Sequence, residues 1–143
     1  MTLAIRILGP TDEVVLQHVA PDIFDKPIDS HLVAEFLHDD RHHMAVALDG
    51  NVIVGFASGV TYVHPDKPLE LRINEVSVAT NPRKHGIDKR VIQALVEVGR
   101  VSGCREVWVL TDRSNIAANQ LIKSIGRTEA LGETIMYSFM LDA

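Results

Sequence analysis

Residues Asn81 to Arg90 read Asn-Pro-Arg-Lys-His-Gly-Ile-Asp-Lys-Arg. They follow an alternating run, Leu71-Arg72-Ile73-Asn74-Glu75-Val76-Ser77-Val78, and precede Val91-Ile92-Gln93-Ala94-Leu95-Val96, where apolar residues recur at helical spacing. Alternation predicts a strand and the 3.6-residue period a helix, so a basic turn containing glycine joins a strand to a helix N-terminus. Such a turn is a place to hold phosphate. The first N–H groups of a helix lack partners inside it, and the helix dipole adds partial positive charge there. Gly86 lets the backbone come close to a ligand, and Arg83, Lys84 and Lys89 add full charges. A solvated turn that merely starts a helix is the alternative reading.

Outward from this turn, the chain alternates strands and helices. Ala4–Leu8 reads as a strand ended by Gly9-Pro10, and Asp12–Val19 as a short helix capped by Thr11 or Asp12. Asp29 or Ser30 caps a second helix carrying Leu32, Val33, Phe36 and Leu37 on one face. Met44–Leu48 and Val52–Tyr62 form a hairpin about Asp49-Gly50-Asn51. After the turn His64–Pro68, Leu69–Val78 is a long strand. Lys89–Val101 is a helix ended by Gly103, Glu106–Leu110 a buried strand, and Asn115–Ile125 a helix stopped by Gly126. Thr128–Leu131 and Thr134–Leu141 close the pattern as a strand pair. The order predicts an α/β (α+β) fold with a mixed, mostly antiparallel central sheet flanked by helices. The strand–helix–strand from Leu69 to Leu110 supplies one parallel crossover. No repeat or linker divides the chain, so residues 1–143 are expected to form one domain.

Composition narrows the function classes. A chain of 143 residues that is 46% hydrophobic and 23% charged supports one core of ordinary size. No apolar stretch approaches the ~20 residues that cross a bilayer. Arg6 and Gly9-Pro10 break any signal-peptide pattern, and the single Cys104 permits no internal disulfide; a cytoplasmic location is the expectation. A net charge of −5 disfavours nucleic acid and favours cationic small molecules. One basic spot on an acidic body suits an anionic cofactor and a cationic acceptor; solubility alone is the other explanation of the charge.

The segment Arg83-Lys84-His85-Gly86-Ile87, after Val76-Ser77-Val78 and before an amphipathic helix, resembles the acyl-CoA pyrophosphate loop of the GCN5-related N-acetyltransferases (GNAT). That loop usually reads Arg/Gln-x-x-Gly-x-Gly/Ala, whereas Asp88 stands at the last position here. The element order is similar to the whole fold of that family. Within it, Ile73–Val78 with Arg83–Ile87 looks most like the aminoglycoside 3-N-acetyltransferases, which carry an aspartate at the position of Glu75.

The resemblance implies an acetyl-CoA-dependent N-acetyltransferase acting on a small amine in a ternary complex. An aminoglycoside is the leading acceptor, with polyamines or a peptide N-terminus as alternatives. It implies Glu75 as proton acceptor and as a hold on a cationic amine. Backbone N–H groups at Val76 and Val78 would be the oxyanion donors, freed by a bulge in the strand. Amides of Lys84, His85, Gly86, Ile87, Asp88 and Lys89, with the Arg83 side chain, would hold the diphosphate. Asn115 would meet the pantetheine arm, with a helix cap as its plain alternative. Asp39 and Asp40 would border the acceptor pocket, or belong to a solvated loop.

Two positions depart from the family pattern. The Asp88 carboxylate repels phosphate or caps the helix in its place. Ile122 occupies the position of a frequent tyrosine acid; either another group such as Tyr137 or a water serves, or no acid is required, since a CoA-type thiol with a pKa of about 8.5 tolerates unassisted departure. Both departures favour a catalytically silent acyl-CoA-binding module as the rival reading. Glu35, His38 and His42 fall at helical spacing, with His43 adjoining, but no zinc motif supports a metal site there. Cys104 and Trp108 read as core. Relatives often dimerise through late strands, and Thr134–Leu141, apolar on both faces, suits a homodimer.

Overall fold

The computed structural model describes residues 3–80, 86–126, 128 and 132–141. Five strands pair in chain order. β1 (Leu3–Ile7), β2 (His42–Asp49), β3 (Val52–His64) and β4 (Lys67–Val78) run antiparallel, and β5 (Glu106–Val109) lies parallel to β4. A short 3-10 helix (Glu13–Gln17), α1 (Ser30–Leu37), α2 (Ile87–Val101) and α3 (Ile116–Ile125) complete the described elements. The expected mixed, mostly antiparallel sheet with its β-α-β unit is present. None of the described helices is long and apolar enough to cross a membrane.

Local signals account for most boundaries. Gly50 turns the β2–β3 hairpin with φ +62°, a value that glycine adopts without strain. Asp29 caps α1, its carboxylate accepting from the His31 and Leu32 N–H groups at 2.8 and 3.2 Å. Asn115 caps α3 by accepting from Ala118 N at 3.1 Å. α2 starts two residues before the expected Lys89: Gly86 takes φ +77° as its cap, and Arg90 N already donates to Gly86 O at 3.1 Å.

The sheet separates two cores. Ala45, Ala47, Val54, Ala57, Leu71 and Ile73 pack with Ile87, Val91, Ile92 and Leu95 of α2. On the other face, Met44, Val46, Ile53 and Phe56 pack with Leu16 of the 3-10 helix and Leu37 of α1. Each buried Val, Leu, Ile, Met or Phe side chain among these stabilises the fold by about 1.5–3 kcal/mol. The first turn of α2 sits closely on β3 because residue 55 is glycine: a Cβ there would lie 2.7 Å from Ile87 Cγ2.

One irregularity positions everything that follows. Ser58 pairs with Glu75 but Gly59 pairs with Ile73, so Asn74 is an extra residue in β4, a β-bulge. Before it Leu71 and Ile73 face α2. Beyond it Val76 and Val78 take that side, opposite Ala57 and Gly55, while Glu75 and Ser77 lie in register with Ser58 and Phe56 of the other face.

The C-terminal part departs from expectation. Among the described residues beyond α3 there is no strand, whereas Thr128–Leu131 and Thr134–Leu141 were expected to pair (129–131 lie outside the described residues). Ile135, Met136, Tyr137, Phe139, Met140 and Leu141 are 71–88% exposed. Strand preference is mostly a preference for packing against neighbours, and none of the described elements lies against these side chains. β5 is therefore half-buried rather than buried as expected. Trp108, also expected in the core, is half-buried: its Nε1 donates to Tyr62 Oη at 2.8 Å, with the Arg72 guanidinium 5.2 Å above the ring.

Candidate active site

β4 and β5 share only four register pairs, from Glu70↔Glu106 to Ile73↔Val109. They part at the Asn74 bulge. A cleft of about 440 Å³ occupies the opening, walled by β4 from Ile73 to Val78, by Val109–Thr111 and by one face each of α2 and α3. Ala117, Ala118, Leu121 and Ile122 give the α3 wall an apolar surface, which suits an aliphatic arm more than a charged one.

Backbone donors point into this opening. Ala79 N donates to Val54 O of β3 at 2.8 Å. Successive residues of an antiparallel strand direct their hydrogen-bonding groups to opposite edges. The Val78 and Val76 N–H groups therefore face away from β3, toward the gap where β5 no longer pairs. At the mouth lies the N-terminus of α2. Gly86, Ile87 and Asp88 N–H have no partner among the described residues, and a Cβ on Gly86 would meet nothing within 4 Å. Lys89 N is already used: Asp88 Oδ1 accepts from it at 2.9 Å. The Asp88 side chain thus caps the turn from within and also lines the cleft. Ile87 contributes its amide only, since its side chain is fully buried.

Glu75 is exposed and borders the same cleft. Asn115 both caps α3 and lines the cleft, so its two readings are compatible. Arg83, Lys84 and His85 lie outside the described residues. Asp39 and Asp40 do not line the cleft. Asp39 is engaged elsewhere: hydrogen bonds from the Arg41 side chain and backbone N–H hold its carboxyl at a pKa of about 2. It precedes β2, whose His42 pairs with Val60, so β3 intervenes between it and β4.

The rest of the polar inventory offers no rival chemistry. Among the described residues no three His, Cys, Asp or Glu side chains gather as metal ligands. The helical spacing of Glu35, His38 and His42 does not survive, because α1 ends at Leu37 and His42 opens β2; His38 instead meets Glu13 at 3.3 Å. Burial pushes the Cys104 thiol pKa up, which keeps it protonated and weakly nucleophilic. Sequence reading missed the apolar wall of Val109, Leu110 and Ala118, whose helical or strand spacing signals only a core.

The sequence profile of the Acetyltransferase (GNAT) family matches residues 13–126. The chain belongs to the GNAT family. No curated protein sequence matches it closely enough to count as a relative. Among solved structures, an aminoglycoside acetyltransferase, meta-AAC0020 from an uncultured soil metagenomic sample, in complex with sisomicin, is 24% identical with a TM-score of 0.77, covering 98% of this chain and 97% of that one. AAC(6')-Iy in complex with the bisubstrate analogue CoA-S-monomethyl-acetylneamine is also 24% identical, at TM-score 0.76 and coverages of 99% and 100%. A ribosomal-protein-alanine N-acetyltransferase from Brucella melitensis biovar Abortus 2308 is 17% identical, at TM-score 0.67 and coverages of 96% and 99%. These likenesses establish a shared GNAT fold. They also correct the expected 3-N-type likeness, since AAC(6')-Iy is a 6'-type enzyme. The strand that suggested the 3-N type, Ile73–Val78, lines the cleft; a motif in one wall does not fix which position of an acceptor is acetylated.

Proposed function

We propose that this GNAT-family chain is an acetyl-CoA-dependent N-acetyltransferase acting on a primary amine of a small cationic acceptor. The observation that carries this reading is the opening of the sheet at Asn74. It turns the Val76 and Val78 amides into the gap that Glu75 borders, beneath the open N–H groups of Gly86, Ile87 and Asp88. The diphosphate of the cofactor binds at the start of α2, and the pantetheine arm runs along Ala117, Ala118 and Leu121 toward Asn74. The amine gives a proton to Glu75, directly or through one water, and attacks the thioester carbon. The carbonyl oxygen becomes an oxyanion facing the Val76 or Val78 N–H. The C–S bond then breaks, an amide remains, and the thiolate takes its proton from solvent, since Ile122 has none to give.

The acidic body of the protein, net charge −5, attracts a polycationic acceptor. The folds shared with enzymes bound to sisomicin and to an acetylneamine analogue favour an aminoglycoside. A thiol-release assay over aminoglycosides, polyamines and N-terminal peptides tests the reading. Glu75→Gln should lower kcat by about 100-fold or more; turnover unchanged across pH removes Glu75 from the role of base.

A second reading, a non-catalytic acyl-CoA-binding module, draws on Asp88 and Ile122. Calorimetric binding of acetyl-CoA without turnover of any amine would select it. The exposed apolar residues from Ile135 to Leu141 support a homodimer that covers them. Phe139→Asp should then shift the mass measured by light scattering from dimer to monomer.

A further inference from the structure

We infer that Arg72 is a specificity-determining residue for the acceptor. It holds an acceptor oxygen, hydroxyl or carboxylate, beside the reacting amine and keeps a second ammonium out of that place. This inference rests on Glu75 being the base of the proposed reaction. Arg72 stands between Leu71 and Ile73, which pack against α2, so its side chain leaves β4 on the opposite face. Neither α1 nor the 3-10 helix reaches β4 there. Its register partner in β5, Trp108, lies beneath it: the guanidinium carbon is 5.2 Å from the ring centroid. Trp108 is fixed in turn, its Nε1 donating to Tyr62 Oη at 2.8 Å. Stacking on an aromatic ring orders a guanidinium and leaves its N–H edge available.

That edge is unused. Arg6, Arg41, Arg100, Arg105 and Arg113 each reach a carboxylate. Arg72 is half-buried, yet no described group accepts a hydrogen bond from it. Glu70, two residues earlier on the same face, is buried without pairing with it, and Glu106, opposite Glu70, meets Arg105 instead. Among the described residues the one buried side-chain nitrogen or oxygen without a partner is His42 Nδ1, so the Arg72 nitrogens touch solvent. A guanidinium that is ordered, uncompensated and open attracts an oxygen and repels a cation.

Its place in the sheet brings this charge to the acceptor. Arg72 pairs with Val60 and Glu75 with Ser58, so the two lie in neighbouring rows about 7 Å apart. Ile73↔Val109, just past Arg72, is the last pair before β4 and β5 part. The charged residues lining the cleft, Glu75 and Asp88, are both acidic, and Arg72 supplies a positive charge beside them. A short acceptor that meets Glu75 with its amine sets its next polar group near Arg72. On a molecule with several amines, the one flanked by a hydroxyl on that side is accepted, and one flanked by another ammonium is refused.

The test is a matched series of short amines in the thiol-release assay: trimethylenediamine, propanolamine and β-alanine. Wild type should prefer propanolamine to trimethylenediamine in kcat/KM by about three- to tenfold, the repulsion of unit charges ~6 Å apart in largely aqueous surroundings. Arg72→Gln should remove that preference and raise the β-alanine KM about tenfold, with the acetyl-CoA KM unchanged; Arg72→Lys should keep part of the preference. Trp108 is the only tryptophan, so its fluorescence reports on the same place without turnover. With CoA present, β-alanine should change it saturably in wild type and not in Arg72→Gln. An unchanged propanolamine-to-diamine ratio in folded Arg72→Gln overturns the inference. If wild type turns over no amine of the series, Trp108 fluorescence that ignores β-alanine overturns it as well. If the ratio shifts while Glu75→Gln retains full turnover, the role of Arg72 stands and the assignment of Glu75 as base falls.

Discussion

Gly55→Ala is the most direct test of how the sheet holds the start of α2, where the diphosphate is proposed to bind. The added Cβ would lie 2.7 Å from Ile87 Cγ2 and 3.3 Å from both Ser77 O and Val78 Cγ2. Backbone and strand atoms on two sides cannot yield, so relief must come from the first turn of α2 moving off the sheet. Overpacking of this kind costs about 1–3 kcal/mol. At roughly 3–5 °C per kcal/mol for a domain of this size, Tm should fall by about 3–15 °C. Because Ile87 follows Gly86 directly, the same movement displaces the open N–H groups, and CoA affinity should weaken by about tenfold, read by calorimetry. Ile87→Ala supplies the control. Alone it removes a fully buried side chain and should cost about 2–5 kcal/mol. Combined with Gly55→Ala it should cost less, because the new methyl occupies vacated space, giving a coupling of about 1 kcal/mol or more. Additive denaturation energies, or a Gly55→Ala protein with wild-type Tm and CoA affinity, would refute the reasoning.

Further outcomes follow from the same geometry. Asp88→Gly frees the Lys89 N–H and removes a negative charge from the cleft; CoA binding should tighten about tenfold, about 1.4 kcal/mol, well within the roughly 3 kcal/mol of two unit charges ~6 Å apart at an effective dielectric of ~20. Weaker binding by calorimetry would mean the carboxylate is serving the fold more than opposing phosphate. Asn115→Ala should cost about 1 kcal/mol of stability through the lost cap, measured by urea denaturation. Burial, and then the charge of His42, push the His43 pKa down. Below its ordinary value of about 6.5 the unfolded chain takes up that proton before the folded one does. This part of the stability is therefore fully present above about pH 6.5 and lost as pH falls toward the lowered folded value. Tm between pH 7.5 and 5 should fall more steeply in wild type than in His43→Gln.

Residues that act locally are legible in the amino-acid sequence. Gly50 between two alternating runs, Asp29 and Asn115 as caps, and Gly86 at the start of α2 each carry their conformation in their own chemistry. The apolar periods of α2 and α3 likewise identify helices within two residues of their ends. What cannot be read that way depends on register between distant segments. Asn74 looks like any polar strand residue, and only its mismatch with Ser58 and Gly59 makes it a bulge. Gly55 reads as a weak strand residue until Ile87 lands on it. Thr134–Leu141 has strand composition but no strand beside it among the described residues. Asp39 and Asp40 look suited to a cation, yet Arg41, two residues from Asp39, takes that carboxylate.

The extra residue in β4 also ties the length of that strand to the shape of the cleft. Point substitutions at 74 can adjust the chemistry, but removing the residue would bring β4 back to plain alternation and take away the bulge at which it parts from β5. The side chains from Glu75 to Val78 would keep their faces, since Glu75 would then follow Ile73 directly, but the cleft between the two strands would close. Variation in chain length is therefore expected in the turn before Lys67, where it leaves the bulge untouched.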